Sequence, residues 1–517
     1  MSIEAETTDI LDDHPQGVWR AAAIALFVAC FTWIPYVVPG LEELRVIGPG
    51  DGWPLADLIQ GTPRQGGAGL AGALQQQPLL EADDDALMES APLPDAVEVT
   101  PREAEPTERP PTDRAQVIGR IAPEEYAGLT REIEDPHHSM RHFYRRLARV
   151  ERDQPVLARM GVYGTSTNGA DRMTSQLRRL LQRRFGDGGK GWVPMAAGWR
   201  FQRHQDVDWE FDRWRTYVVN RSDGPLDRYG YGGVLAIDRN RGAESSFGTE
   251  DDAPGTSVST YRIFHQAYPE GGTFLAQVDD GPVERIDTAS AEVEDRVHEI
   301  SVPSGAHELH IRATAPEGDQ GGETLRMYGV TMEEDGPGVV VDGLALIGAF
   351  TRVLRLFDRA HLAEQVRLRD PDLLVFWMGA NDAVSESVAF VPDQYVTHYR
   401  GILRRYQDAN PDMACMVMSI LDKGERVNGR ITTRPRVPRM VEAQREAANA
   451  EGCAFFDTYQ AMGGDGTMRR WYTARPRLVT DDLGHLTAAG SRVMGTLLYR
   501  ALLKGFDDWI AEGQPAP

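Results

Sequence analysis

From Gly343 to Gly505 short apolar runs alternate with stretches of helical period: GLALIGAFTRVLRLFD, DLLVFWMGAND, DQYVTHYRGILRRYQDAN, MACMVMSIL, MVEAQREAANAEG, CAFFD and TAAGSRVMGTLLYRALLKG. Strands separated by helices cannot pair as hairpins, so the pattern requires a parallel sheet covered on both faces. An earlier unit of the same kind exists. The run VLARMGVYG reads as a strand, preceded by the helical stretch HHSMRHFYRRLARVERD and followed by DRMTSQLRRLLQRRFGDGG. In the last of these Met173, Leu177, Leu180, Leu181 and Phe185 share one face and glycines end the helix. The expected fold class is therefore α/β, a doubly wound parallel sheet.

Between the two units the period changes. From about Tyr217 to Glu334 runs such as TFLAQVDDGPVERIDT and VHEISVPSGAHELHIRAT alternate residue by residue and break at Asp-Gly, Ser-Gly and Gly-Gly turns. This predicts an inserted all-β, sandwich-like module over 217–334, with the α/β domain split into 116–216 and 335–510. Trp209 and Trp214, near the module's entry, are expected in its core. In HELH an alternating strand sends His307 and His310 to opposite faces, which argues against a shared metal. His137, His138 and His142 have no cysteine or carboxylate at ligand spacing and read as surface histidines. No metal and no cofactor is implied.

Upstream of order the composition is different. Residues 1–20 form a mostly acidic tail, and AAAIALFVACFTWIPYVV, from Ala21 to Val38, carries no charge. That length suffices to cross a bilayer, so 21–39 is expected to be a transmembrane anchor. Arg20 on one side is matched by Arg45 on the other, so charge alone does not orient it. Residues 40–115 are rich in Pro, Gly, Ala, Gln and acids and predict a disordered tether. The run Asp83, Asp84, Asp85 belongs to that solvated linker.

A net charge of -23 repels phosphate backbones and excludes nucleic acid as a natural partner. Three cysteines, Cys30, Cys415 and Cys453, make no disulfide framework; each sits in an apolar run and reads as a small buried hydrophobe.

Chemistry concentrates at four places. In VTDDLGHLTAAG, Asp482 and His485 are three residues apart, a spacing that lets the carboxylate hold the imidazole. In MGVYGTSTNGADRM an apolar run breaks at Gly164 and presents Ser166 at a strand-to-helix turn, where a nucleophile would meet that base. Asn381 follows the strand DLLVFWM in GAND, and Gly348 follows another in LALIGA. With the Ser166 amide, these two would supply oxyanion donors. No GxSxG elbow surrounds Ser166, which argues against an α/β-hydrolase lipase.

The order GTS, glycine, GAND, DLGH resembles the SGNH (GDSL-type) hydrolases over residues 130 to 510. GADRMTSQLRRLLQRRFGDGGKGW, GVVVDGLALIGA and DDLGHLTAAG, with the β insertion, are similar to the branch of O-acetyl-peptidoglycan and polysaccharide esterases. The resemblance implies a flavodoxin-like sheet, Ser166 as nucleophile, His485 as base, Asp482 as its orienter, and Ser166, Gly348 and Asn381 as the oxyanion hole. It implies an acetylated cell-envelope carbohydrate as substrate, a carbohydrate-binding β module, and a catalytic domain held in the periplasm by an inner-membrane anchor. Thr165 replaces the family's aspartate, and LIGA stands where an Asn-Gly pair is common. Two other readings use the same residues: an O-acyltransferase of exported polysaccharides, and a non-catalytic glycan-binding relative.

Overall fold

The computed structural model describes residues 118–513, apart from 222–227, 240–241, 251–254, 256, 315–324 and 386–388. The tail, anchor and tether expected over 1–115 lie outside these residues. Among the described residues no helix is long and apolar enough to cross a membrane.

Five strands form the central sheet: β1 (Leu157–Gly164), β2 (Gly338–Ala345), β3 (Leu373–Trp377), β4 (Ala414–Met418) and β5 (Ala454–Phe456). They lie in the order β2-β1-β3-β4-β5, and every neighbouring pair is parallel. This is the flavodoxin-like order, whose switch point lies between β1 and β3. Successive side chains of a strand point to opposite faces, and the sheet feeds two cores accordingly. Tyr163, Leu374, Phe376 and Val417 join one buried cluster. Met160, Val162, Val375 and Met416 join the other.

Helices cover both faces. On the first lie α3 (Arg359–Arg369), α4 (Pro392–Ala409) and α5 (Arg436–Ala450), through Leu362, Tyr399 and Val441. On the second lie α1 (Arg141–Glu151), α2 (Arg172–Phe185) and α6 (Ala488–Ala511), through Leu147, Leu177 and Leu498. Along α2, Met173, Leu177, Leu181 and Phe185 are buried as their spacing requires, while Leu180 is half-buried.

Two antiparallel sheets separate β1 from β2 in sequence. One runs in the order 294–305, 258–267, 325–333, 234–238, 215–218, with Gly191–Pro194 also paired to 325–333. The other runs 208–212, 244–248, 308–313, 273–278, 284–287. Ile263 and Val330 of the first share a buried cluster with Phe247, Phe274 and Leu309 of the second. The antiparallel strands begin at Gly191, earlier than the alternation at Tyr217 indicates. Trp209 and Trp214 pack against this cluster only in part, and the Trp214 indole N–H donates to Ser245 Oγ at 2.8 Å.

Buried charge stitches the units together. Asp342 on β2 accepts from the Trp192 amide (2.8 Å) and from Arg369 Nε (2.7 Å). Glu333, ending its strand, binds Arg369 (2.6 Å) and Arg159 on β1 (3.0 Å).

Three readings of the sequence need correction. Cys415 on β4 and Cys453 before β5 form a disulfide, not two separate buried thiols. His307 lies just ahead of strand 308–313 and binds Asp279 (2.6 Å), so alternation within a strand decides only the facing of His310. His142 likewise has a carboxylate partner, Asp372 at 3.1 Å, 230 positions away.

Candidate active site

The carboxyl ends of β2, β1 and β3 lie side by side, since Gly164 is in register with Ala345 and with Trp377. Three of the sequence-predicted residues follow these ends: Ser166 after β1, Gly348 after β2, Asn381 after β3. Ligands of open α/β sheets gather in this crevice.

Ser166 opens a single 3-10 turn, Ser166–Asn168, directly beyond the sheet. The turn is tight: a Cβ at Gly164 would stand 2.7 Å from Asn168 Cβ, so only glycine fits. Asn168 ties the turn back to the strand, donating to the Val162 carbonyl at 3.2 Å. Behind it Asp171 adopts φ 56° at the start of α2. Its buried carboxylate accepts from Lys190 Nζ (2.7 Å), Arg178 (3.1 Å) and the Gln205 amide (3.1 Å). Burial opposes ionisation there, but the charges of Lys190 and Arg178 outweigh it and hold the carboxyl far below the usual range.

His485 arrives from a turn preceding α6. Thr480 N donates to His485 O (2.9 Å) and Leu483 N to Thr480 O (3.1 Å), which closes residues 480–485 into a knot. Ser166 Oγ and His485 Nε2 are 2.7 Å apart, and the other ring nitrogen, Nδ1, faces Asp482 Oδ2 in a short contact. The Asp482 carboxylate also accepts from Thr480 Oγ1 (2.7 Å), Gly484 N (2.8 Å) and His485 N (3.1 Å). Partial burial raises its pKa, yet the bonds from His485 and Thr480 win and hold it well below the ordinary value. Ser166, His485 and Asp482 are thus brought together as the sequence predicts, with one imidazole nitrogen toward the serine hydroxyl and the other toward the carboxylate.

Gly348 has φ +76° with open space around its α-carbon. Asn220 fixes the loop by donating to the Ile347 carbonyl at 2.9 Å. Asn381 Nδ2 donates to Ala349 O at 2.8 Å, joining the ends of β2 and β3 and leaving its second N–H available. The Ser166 and Gly348 amides have no acceptor among the described residues. Thr165 is fully buried and its hydroxyl lacks a partner there. Among the described residues no group of acids, histidines and cysteines could hold a metal ion.

Residues 313–493 match the GDSL-like lipase/acylhydrolase family, a stretch that contains β2, β3, Gly348, Asn381, Asp482 and His485. The chain carries an SGNH-type ester hydrolase. A solved peptidoglycan O-acetylesterase is 20% identical and aligns over 73% of this chain and 99% of its own, with a TM-score of 0.61; that likeness establishes the fold. A family two carbohydrate esterase from Cellvibrio japonicus is 12% identical over 62% of this chain and 98% of its own, with a TM-score of 0.24. An acetylxylan esterase from Geobacillus stearothermophilus is 21% identical over 33% and 73%, also with a TM-score of 0.24. No curated protein gave a match.

Sequence reading missed two parts of this SGNH hydrolase site. Thr480 and Lys423 both reach the turn that carries Asp482 and His485, Lys423 by donating to the Gly484 carbonyl. Thr480 was within reach of inspection, two residues before Asp482. Lys423 gave no signal.

Proposed function

We propose that the chain is a serine carbohydrate esterase that removes O-acetyl groups from a cell-envelope polysaccharide or peptidoglycan. The observation that carries this reading is the 2.7 Å contact between Ser166 Oγ and His485 Nε2, with Asp482 on the far ring nitrogen. Ser166 Oγ attacks the acetyl carbonyl while His485 takes its proton and Asp482 stabilises the imidazolium. The oxyanion accepts from the Ser166 and Gly348 amides and from the second N–H of Asn381. Collapse of the intermediate expels the sugar oxygen, which His485 protonates, and water then releases acetate from Ser166 by the same steps.

Two observations favour hydrolysis over the other readings. The base stands poised on the nucleophile, which a purely glycan-binding relative would not need. The His485 side chain is 44% exposed, so water reaches the acyl-enzyme, whereas transfer to a sugar requires water to be kept out.

Two features of the rest of the chain support a place for the substrate. The uncharged run Ala21–Val38 supports an inner-membrane anchor, and the Cys415–Cys453 bridge supports an oxidising compartment, the periplasm, for the catalytic domain. The paired antiparallel sheets are a sandwich-like module over 217–334, with the preceding strands from Gly191, and serve to engage the carbohydrate.

Purified protein and Ser166→Ala should be compared on a chromogenic acetyl ester and on O-acetylated peptidoglycan. Acetate release from both by the wild type, lost in Ser166→Ala, is expected. Equal turnover by the two proteins rejects the triad, and modification of a sugar with no hydrolysis in water replaces esterase by transferase.

A further inference from the structure

The turn from Asp482 to His485 is held by a dipeptide from elsewhere. Leu483, in the middle of it, is a buried residue with φ 56°, a left-handed conformation that bulky side chains avoid and that persists only where the surroundings impose it. The two carbonyls at its centre are restrained from outside the turn. Gly424 N donates to Leu483 O at 2.8 Å, and Lys423 Nζ donates to Gly484 O. Lys423 is anchored in turn, its carbonyl accepting from Arg434 N at 2.8 Å beside the hairpin of Gly424–Val427 and Arg430–Thr433.

Lys423 is only 4% exposed. A neutral donor would suffice to hold one carbonyl, and burying an ammonium for that alone is costly. The charge has a second audience. The charged groups around it are Asp482, Asp422 and Arg434, and Asp482 is the partner of His485. A cation beside that pair favours the ionised carboxylate and opposes an early imidazolium, leaving the ring free to accept a proton from Ser166.

We propose that Lys423 is a positioning residue of the hydrolytic site, its ammonium both clamping the strained Leu483–Gly484 turn and biasing His485 toward the neutral base. The proposal rests on His485 being the base of the reaction. Burial lowers the ammonium's pKa to about 8, against the pull of Asp482 and Asp422, so the side chain is a cation below that pH.

The test compares Lys423→Met, Lys423→Gln and Lys423→Arg in full-length protein by pH-rate profiles on a neutral acetyl ester and by thermal melting. Loss of the clamp in Lys423→Met should lower kcat by about 10- to 100-fold with KM within about twofold, because orientation of the base matters most in the transition state. The acid limb of kcat should move upward in Lys423→Met and Lys423→Gln and return toward the wild-type position in Lys423→Arg. A Lys423→Met protein with wild-type kcat and limb, or Gln and Arg variants whose limbs coincide and differ only in melting temperature, overturns the proposal. If Lys423→Met does not fold, the Gln and Arg limbs decide it. NMR titration of His485 in Ser166→Ala carrying Lys423→Gln or Lys423→Arg reads the same bias without turnover. An inert wild type therefore counts against the esterase reading, and an unchanged His485 titration against Lys423.

Discussion

Ser166 and His485 are 319 positions apart in the chain, yet Ser166 Oγ lies 2.7 Å from His485 Nε2. The parallel sheet makes this possible by ending β1 at the crevice that the turn before α6 overhangs. The third partner allows a sharp prediction. Asp482 Oδ1 accepts from the Gly484 and His485 amides, so an asparagine there would keep its oxygen on those donors and turn its NH2 toward His485 Nδ1. The imidazole would then carry its proton on Nε2 and could not accept from Ser166. Asp482→Asn should lower kcat on the order of 10⁴-fold, more than Asp482→Ala, which leaves the tautomer free. Equal losses in the two variants would show that charge, not tautomer, is what Asp482 supplies.

Asn381 has one amide hydrogen on Ala349 O and one to offer. Asn381→Ala should reduce kcat by about 100- to 1000-fold with little change in KM, because the oxyanion forms only in the transition state. A change confined to KM would place Asn381 in substrate binding instead.

Thr165 stands where the resemblance leads one to expect aspartate, and its surroundings say why aspartate would not serve here. The side chain is fully buried and its hydroxyl has no partner among the described residues. A carboxylate would be buried unpaired. Thr165→Asp should therefore destabilise by several kcal/mol, while Thr165→Val, which removes an unsatisfied hydroxyl, should be within about 1 kcal/mol of wild type or better. Urea denaturation midpoints measure both, and a stable, active Thr165→Asp would reveal a partner supplied by water or substrate.

The parallel sheet was legible because its signal is periodic: β3 reads LLVFW between two helical stretches, and buried strands of this kind are continuously apolar. The candidate site was legible because Ser166, Gly348 and Asn381 each follow a strand, and sequence position then stands in for space. The start of the antiparallel strands was not. Gly191–Pro194 is only four residues long and Asp208–Asp212 reads DWEFD, too acidic and short to announce a strand. Buried ions escaped for a related reason. Lys423, Asp342, Arg369 and Glu333 look like surface residues in a linear reading, since only the fold supplies the opposite charges that make their burial tolerable.

Glu333 predicts a pH effect. Burial raises its pKa, but Arg369 and Arg159 prevail and bring it down to about 2. A carboxyl depressed in the folded state contributes stability that is fully present above its unfolded value and is lost as pH falls through the folded one. The wild type should lose on the order of a few kcal/mol from this group between about pH 5 and pH 2. Glu333→Gln should be less stable at pH 7 by about 3 kcal/mol or more, because it leaves the buried guanidinium of Arg369 short of a counter-charge, and should show a flatter acid slope. Parallel slopes in chemical denaturation across that range would assign the acid sensitivity to another carboxylate.

The Cys415–Cys453 bridge connects β4 to the entry of β5 across 38 residues, with Cα atoms 4.8 Å apart. Neither cysteine alone suggests the pairing, because each sits in an apolar run that reads as core; adjacency of β4 and β5 is what creates it. Closing such a loop restricts the unfolded chain, so Cys415→Ala/Cys453→Ala should lower stability by about 2–4 kcal/mol. Reductant should lower the denaturation midpoint of the wild type toward that of the double variant and leave the variant unmoved. Alkylation of the denatured, unreduced full chain should mark Cys30 alone, and all three cysteines after reduction. Three marks without reduction would mean that the thiols are free, and would remove the support the bridge lends to an oxidising compartment.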